Sequence, residues 1–224
     1  MKNLTLIIPA KNEEISLPRV LEEIKKYKCK KIIILSKADK KTIDAISNFK
    51  CQIIKQKIDG YGAALIEGIN NVKTKYLCIF NADGSFDPKY LNQMLKYANK
   101  NYDFIFASRY VSAGGSTDDT VLTYIGNKIF TFLGNFLFKL KISDILFTYI
   151  LGNTKKFKEL NLINKDFRLC VEIPIKIKEK KFSYKCIPSM ERNRIGGKKN
   201  VNEFVDGFLI LFSMIKYFIK KNDL

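Results

Sequence analysis

The sequence predicts an α/β fold built on a mostly parallel central sheet with helices on both faces. Short apolar runs alternate with segments of helical period through the first half of the chain. Apolar residues fill 46% of 224 positions, which is ample for a packed core. No internal repeat, low-complexity tract or Gly/Ser/Pro-rich linker interrupts the pattern, so residues 1–224 read as a single domain.

Residues 4–9 are the first expected strand. Ser16 is placed as an N-cap and Pro18 in the first turn of a helix on which Val20, Leu21, Ile24 and Tyr27 recur at helical spacing. Residues 32–35 follow as a second strand, Ile43, Ile46 and Phe49 suggest a short helix, and residues 51–54 a third strand. A helix over 63–69 turns Leu65, Ile66 and Ile69 inward. The strand at 76–80 ends in the turn formers Asn81, Asp83, Gly84 and Ser85. Asp87 and Pro88 then read as N-cap and first-turn proline of a helix burying Leu91, Leu95 and Ala98, and 104–108 as a further strand. Helices at about 121–140 and 203–220 are amphipathic and basic, a pattern that suits either the membrane interface or ordinary core packing. The apolar run at 207–219 is shorter than a membrane span and Lys216 interrupts it; the stretch at 4–10 fits neither a signal peptide nor an anchor.

Forty Lys and Arg against twenty-two Asp and Glu leave a formal charge of +18, which points to an anionic partner. Nucleic acid, phosphates and an acidic membrane all fit that description, although only five of the forty are arginine and lysine lacks the rigid fork that reads bases. The absence of histidine excludes Ser-His and Cys-His nucleophiles and His-ligated zinc, leaving carboxylates, lysines, a hard metal or the substrate itself to carry chemistry. Cys29, Cys51, Cys78, Cys170 and Cys186 form no C-x-x-C pair and read as reduced core residues of a cytosolic chain.

Asp83, just past a buried strand, sits where open α/β sheets bind ligands. Its oxygen-rich surroundings suit Mg²⁺ or Mn²⁺ on a diphosphate, and a plain tight turn suits them equally. For Asp87 a capping role before Pro88 is the stronger reading. Residues 9–14 follow the first strand at the same sheet edge but lack dinucleotide-binding glycines, and Gly60 and Gly62 lack the third glycine of that fingerprint.

Taken in order, LTLIIPAKNEE at 4–14, GYGAA at 60–64, NADGSFDP at 81–88, ASRY at 107–110 and ERNRIGGK at 191–198 resemble the GT-A family 2 glycosyltransferases. Within them the sequence is most similar to the dolichyl- or polyprenyl-phosphate mannosyl- and glucosyltransferase branch. The resemblance covers nearly the whole chain and implies the GT-A (nucleotide-diphospho-sugar transferase) fold. It implies that Pro9, Ala10, Asn12 and Glu13 line the nucleotide pocket, with Asp39 and Asn81 beside them. By the same resemblance Asp83 holds Mg²⁺ or Mn²⁺ on the diphosphate, helped by Ser85 and Asp87. Arg109 would lie near the phosphates or the transferring sugar, and Lys128, Arg192, Arg194 and Lys198 would bind phosphate on the donor or acceptor. The sequence departs from the family at three places. Ser36, Lys37 and Ala38 replace an Asp-Asp-Gly-Ser-like turn, so only Asp39 remains to contact the base; Asn81 replaces the first carboxylate of Asp-x-Asp; and the Gly-Phe-Arg expected after Asp144 is missing.

The resemblance therefore implies an inverting transfer of a hexose from a GDP- or UDP-linked donor to a polyprenyl phosphate, by a chain lying peripherally on the inner face of the cytoplasmic membrane. Such an acceptor is already anionic and needs little or no base. A hydroxyl acceptor would need a carboxylate, with Asp144 and Glu172 the candidates alongside Arg109 in the catalytic set; Asp144 orients the acceptor, serves as that base or caps a turn. The rival readings are a glycosyltransferase using a glycan or small-molecule hydroxyl, a family member weakened by Asn81, and a non-enzymatic basic protein bound to membrane or nucleic acid. With the charge assigned to a diphosphate donor, a phosphate acceptor and an anionic membrane face, nucleic acid is not the expected partner; oligomeric state is open.

Overall fold

The computed structural model describes residues 1–36, 39–196 and 203–222. The first half runs β1 (Leu4–Ala10), α1 (Ser16–Glu23), a 3₁₀ turn (Ile24–Tyr27), β2 (Lys30–Leu35), α2 (Lys40–Ala45), β3 (Gln52–Lys55), α3 (Tyr61–Asn71), β4 (Tyr76–Ile79), α4 (Tyr90–Ala98) and β5 (Phe104–Ser108). The second half runs β6 (Gly115–Ser116), α5 (Val121–Phe138), β7 (Ile150–Asn153), α6 (Thr154–Glu159), α7 (Leu169–Glu179), β8 (Tyr184–Pro188), β9 (Met190–Glu191) and α8 (Glu203–Asn222).

Seven strands form one sheet in the order β3-β2-β1-β4-β7-β5-β8. β7 runs antiparallel to both neighbours, and every other adjacent pair is parallel. Side chains of a strand alternate between faces, and β1 uses both. Leu4, Leu6 and Ile8 pack with Leu17, Val20 and Leu21 of α1 and with Leu91 and Met94 of α4. Ile7 faces the other way, into a cluster with Ala64, Leu65 and Ile69 of α3 and the apolar side of α7. Helices thus cover both faces, and the expected α/β architecture is the observed one.

Several local expectations change. Ser16 does not cap α1; its hydroxyl donates to the Glu13 carboxylate, while the Leu17 N–H bonds the Glu13 carbonyl at 3.0 Å. The helix after Asp87 starts three residues later, at Tyr90, and the Asp87 carboxylate accepts instead from the Lys89 N–H at 2.9 Å. β7 had no counterpart in the sequence pattern. It lies between β4 and β5 and is buried on both faces, so no polar alternation marks it. α7 carries Pro174 in its interior, a residue that ordinarily signals a helix end.

The order of strands places a topological switch at β1, whose neighbours β2 and β4 carry the chain to opposite sides. In open α/β sheets a crevice opens there, at the carboxyl ends of the strands. Because β7 is antiparallel, its own carboxyl end, where Asn153 pairs with Tyr76, lies at the far edge. Gly152 there is wedged between rings: a Cβ would stand 2.6 Å from Phe104 Cδ1 and 2.8 Å from Phe157 Cε2. Gly152→Ala should lower unfolding stability by roughly 1–3 kcal/mol through overpacking. Urea denaturation measures this, and ligand affinity of the folded fraction should not change, because the crevice is at the other end of the sheet.

Candidate functional site

A cavity of about 470 Å³ fills the crevice. Pro9, Ala10 and Lys11 bring the end of β1 to it, Ile34 and Ser36 the end of β2, and Gln56 and Gly60 the passage from β3 into α3. Asn81 and Asp83 arrive from β4, Arg109 from β5, and Glu191 and Arg194 from the segment starting at β9. Glu13 sits on this wall with its N–H bonded to Thr42 Oγ1 at 2.9 Å. Burial raises its carboxyl above the ordinary value, Asp83 adds to the rise, and the Ser16 hydrogen bond and Arg194 oppose it.

The Asp83 turn is built to present one carboxylate oxygen. Oδ1 accepts from the Ser85 N–H at 2.9 Å and from Ser85 Oγ at 2.7 Å. Oδ2 has Arg194 at 3.7 Å as its charged neighbour. Gly84, at φ 85, permits the reversal, and Ile195 closes over it so tightly that a Cβ would stand 2.4 Å from Ile195 Cδ1. Arg192 straps the turn from behind. Its guanidinium donates to the carbonyls of Gly84 and Phe86 and pairs with Glu23 at 2.8 Å, while its own N–H bonds the Ser85 carbonyl at 2.9 Å.

A buried ionic hub adjoins this turn. Arg109 grips Asp144 through Nε at 2.7 Å and a terminal nitrogen at 3.0 Å, and its other terminal nitrogen reaches Asp119 at 3.2 Å and Glu191 at 3.1 Å. Burial by itself would lower the Arg109 pKa, but the charges of Asp144 and Glu191 and the Asp144 hydrogen bonds raise it, so the cation persists. Glu191 also accepts from Ser116 Oγ at 2.6 Å, and burial lifts its carboxyl above the usual range against the opposing pull of Arg109. Tyr110 donates its hydroxyl to Asp119 at 2.7 Å.

Arg109, Leu146, Glu191 and Arg194 also line a second cavity of about 300 Å³, which runs from the hub between Leu122 and Phe130 of α5 and Phe204 and Ile210 of α8. Arg194 stands where the cavities meet. It lies 3.7 Å from Asp83 and 3.6 Å from Asp118, and its buried Nε makes no hydrogen bond among the described residues. Beyond this cavity α5 and α8 turn apolar residues outward, with Phe132, Phe136, Phe204, Phe208 and Phe212 all between 59% and 77% exposed. Among the described residues no helix is long and apolar enough to cross a membrane.

The structure gathers Pro9, Ala10, Glu13, Asn81, Asp83, Arg109 and Arg194 around the first cavity. Other expected site residues go elsewhere, each for a local reason. Asn12 and Asp39 face one another: the Asn12 N–H donates to Asp39 Oδ2 at 2.7 Å, and Asp39 Oδ1 caps α2 at Thr42, so the Asp39 carboxylate is engaged before any base arrives. Ser85 is buried beneath Asp83 and orients it, and Asp87 pairs with Lys89 at 2.9 Å, so neither stands beside Asp83 as an open ligand. Asp144 is 1% exposed and lies behind Arg109 with both oxygens engaged; it holds that arginine and does not open onto a cavity. Glu172, fully buried on α7, accepts from the N–H groups of Ile163 and Asn164 at 2.9 Å and pairs with Lys176 at 2.7 Å, so it shapes that loop and is no base for the crevice. Arg192 is the strap described above and not a clamp. Lys128, exposed on α5, lies over the rings of Tyr110 and Tyr124 at 4.7 and 5.5 Å. Lys198 lies outside the described residues.

Sequence reasoning missed Asp118, Asp119, Glu191 and Gln56. A signal existed for the acids: a buried arginine requires carboxylates, and Asp118 and Asp119 stand paired just before the N-cap Thr120. Among the described residues no three His, Cys, Asp or Glu side chains form a ready metal site. Asp83 Oδ2, whose charged neighbour Arg194 is 3.7 Å away, would give a hard divalent ion one protein oxygen, with substrate phosphates and water supplying the rest of its shell, the usual arrangement for Mg²⁺.

The strand order β3-β2-β1-β4-β7-β5-β8, with β7 antiparallel and a crevice at the switch point, is the architecture of the GT-A type of nucleotide-sugar transferase fold, as the solved structures below bear out. Residues 5–160 match Glycosyl transferase family 2, and the chain belongs to that family. Uncharacterised glycosyltransferases of Mycobacterium bovis and Mycobacterium tuberculosis are each 28% identical to it over 112 residues, covering 50% of this chain and 50% of their own length. The chain thus spans about half the length of the curated relatives it matches. Among solved structures, mannosyl-3-phosphoglycerate synthase from Rubrobacter xylanophilus superposes with a TM-score of 0.78 at 10% identity, covering 100% of this chain and 76% of that one. Glucosyl-3-phosphoglycerate synthase from Mycobacterium tuberculosis, in complex with Mn²⁺, UDP and glucosyl-3-phosphoglycerate, superposes at 0.76 with 10% identity over 96% of this chain and 80% of that one. The family and the fold are therefore those the sequence motifs resemble.

Asp144→Asn should destabilise the protein by roughly 3 kcal/mol in urea denaturation, because it removes the bidentate partner of a buried cation. The outcome separates a structural role from a catalytic one, since a surface base would cost little stability.

Proposed function

We propose that the chain transfers a hexose, with inversion, from a GDP- or UDP-linked sugar to a polyprenyl phosphate at a membrane surface, with Mg²⁺ or Mn²⁺ at the donor diphosphate. The observation that carries this reading is the continuity of the two cavities: the second leads from Arg194 past Asp118 and Asp119 between two helices, its apolar wall of Leu122, Phe130, Phe204 and Ile210 also carrying Glu203 and Asp206, and the outer faces of both helices are apolar. A lipid phosphate has the matching shape, a charged head with an apolar tail. Exposed Lys128, Lys139, Lys141, Lys216 and Lys220 on or next to these helices suit an anionic bilayer.

The acceptor phosphate oxygen attacks the anomeric carbon, the carbon–oxygen bond to the donor phosphate breaks, and the nucleoside diphosphate leaves with the bonding pair. Glu13 and the ends of β1 to β3 hold the nucleoside, and Arg194, whose terminal nitrogen makes only long contacts to Asp83 and Asp118, receives phosphate charge. Asp83 would hold a divalent cation, which would stabilise the charge of the leaving diphosphate; the Mn²⁺ and UDP of the similarly folded mycobacterial synthase support that assignment. Asp144 and Glu172 being engaged elsewhere fits an acceptor that needs no base. One observation favours a second reading: Glu191 stands at the junction with its carboxyl raised by burial, where it would serve as base for a hydroxyl acceptor.

Purified protein with UDP- and GDP-sugars should glycosylate short polyprenyl phosphates and be silenced by EDTA. Turnover of hydroxyl acceptors alone, abolished by Glu191→Gln, would replace the lipid reading with the second one. Asp83→Asn should reduce turnover by about 10²–10³-fold, the scale of losing one electrostatic contact to the developing charge. Asp87→Asn should change it by less than about threefold if the Lys89 pairing is its whole role; equal losses in the two variants would return Asp87 to the metal site.

A further inference from the structure

We propose that Gln56 reads the base of the nucleotide, accepting a hydrogen bond at Oε1 from a ring N–H. This rests on the reading of the crevice as a nucleoside-diphosphate site. Gln56 follows β3 directly, and its backbone N–H donates to the Leu35 carbonyl at 2.7 Å, fixing it against the end of β2. It is 7% exposed and lies on the cavity wall near Ser36, Gly60 and Tyr61.

The side-chain amide is held in one orientation. Nε2 donates to the carbonyls of Ile58 at 2.5 Å and Gly60 at 2.7 Å, which uses both of its protons. A flipped amide would turn Oε1 toward those same carbonyl oxygens, so the pair fixes the assignment. Oε1 accepts no hydrogen bond among the described residues and is not one of the sealed atoms left without a partner, so on a residue that lines the cavity it is left available as a pure acceptor. Asp39 does not line this cavity, and its two oxygens each accept a backbone N–H, from Asn12 and Thr42. Ser36 donates or accepts as required and so selects little, whereas Lys11 and Asp59 are exposed.

A buried group of fixed polarity discriminates because a mismatched partner leaves it unpaired. Uracil carries a ring N–H at N3 between two carbonyl groups, and guanine carries one at N1 between a carbonyl group and an amino-bearing carbon. Cytosine and adenine carry an unprotonated nitrogen at those ring positions, which would face Oε1 with a lone pair. The class of ligand is therefore the diphosphate of a lactam base, uracil or guanine.

Calorimetric titration of the full chain with Mg²⁺ and UDP, GDP, ADP and CDP tests this, together with N3-methyl-UDP, N1-methyl-GDP and plain pyrophosphate, in wild type and Gln56→Met. UDP or GDP should bind at least about tenfold more tightly than ADP or CDP, and methylation should weaken that ligand about tenfold in wild type and less than about twofold in Gln56→Met. Pyrophosphate should bind both proteins alike. Methylation without effect on the wild type, or with equal effect in both proteins, would overturn the role of Gln56 while leaving the nucleotide site standing; tight ADP or CDP binding would do the same. Failure of every nucleotide to bind wild type would overturn the nucleoside-diphosphate reading itself, and Gln56 with it.

Discussion

A guanidinium removed from water costs several kcal/mol unless carboxylates compensate it, and Arg109, 8% exposed at the end of β5, imposes that condition on everything around it. Its three carboxylates come from separate stretches: Asp144 from the segment before β7, Asp119 from the approach to α5, and Glu191 from β9. One side chain thus ties three loops to the sheet edge where the crevice opens. The cost of dismantling this hub keeps the walls of both cavities in fixed relation, since Arg109 and Glu191 belong to each. It also explains why an aspartate in the expected position is not free to do chemistry: Asp144 is needed where it is.

Arg192 performs the same service for the Asp83 turn, joining α1 through Glu23 to the carbonyls of Gly84 and Phe86. Of the arginines near the crevice, this leaves Arg194 with the longest ionic contacts and, among the described residues, no hydrogen bond to its buried Nε. Two arginines build the site, and the third is the one proposed to meet the phosphates of the ligand. Identity of residue type said nothing about this division; it follows from which guanidiniums find carboxylates or carbonyls at hydrogen-bonding distance.

The parallel half of the fold was legible because each strand there is an apolar run bounded by turns, and each helix buries a periodic face. Residues at strand ends were legible for the same reason: Pro9, Asn81, Asp83 and Arg109 follow recognisable runs, and topology carries those ends to one edge. What was hidden depends on contacts across long separations. Nothing local in the sequence tells that Glu191 meets Arg109 or that Arg192 reaches Glu23. β7 was hidden by burial on both faces, α7 by an interior proline, and the inward turn of Gln56 by two carbonyls that exist only once the chain bends at Gly60.

The lysine surplus takes on a different meaning once the crevice is seen. Its described charged residues are Lys11, Arg109 and Arg194 against Glu13, Asp59, Asp83 and Glu191, so the cavity itself is not a basic funnel. Arg109 is moreover neutralised by its hub. A bare diphosphate would meet carboxylates on both sides, whereas one accompanied by a divalent cation turns Asp83 from a repulsive neighbour into a ligand. The case for a metal therefore follows from this chain's own charge balance as well as from resemblance. The overall charge of +18 must act largely outside the crevice, and exposed lysines flanking the apolar faces of α5 and α8 put part of it beside the surface proposed to meet an anionic membrane.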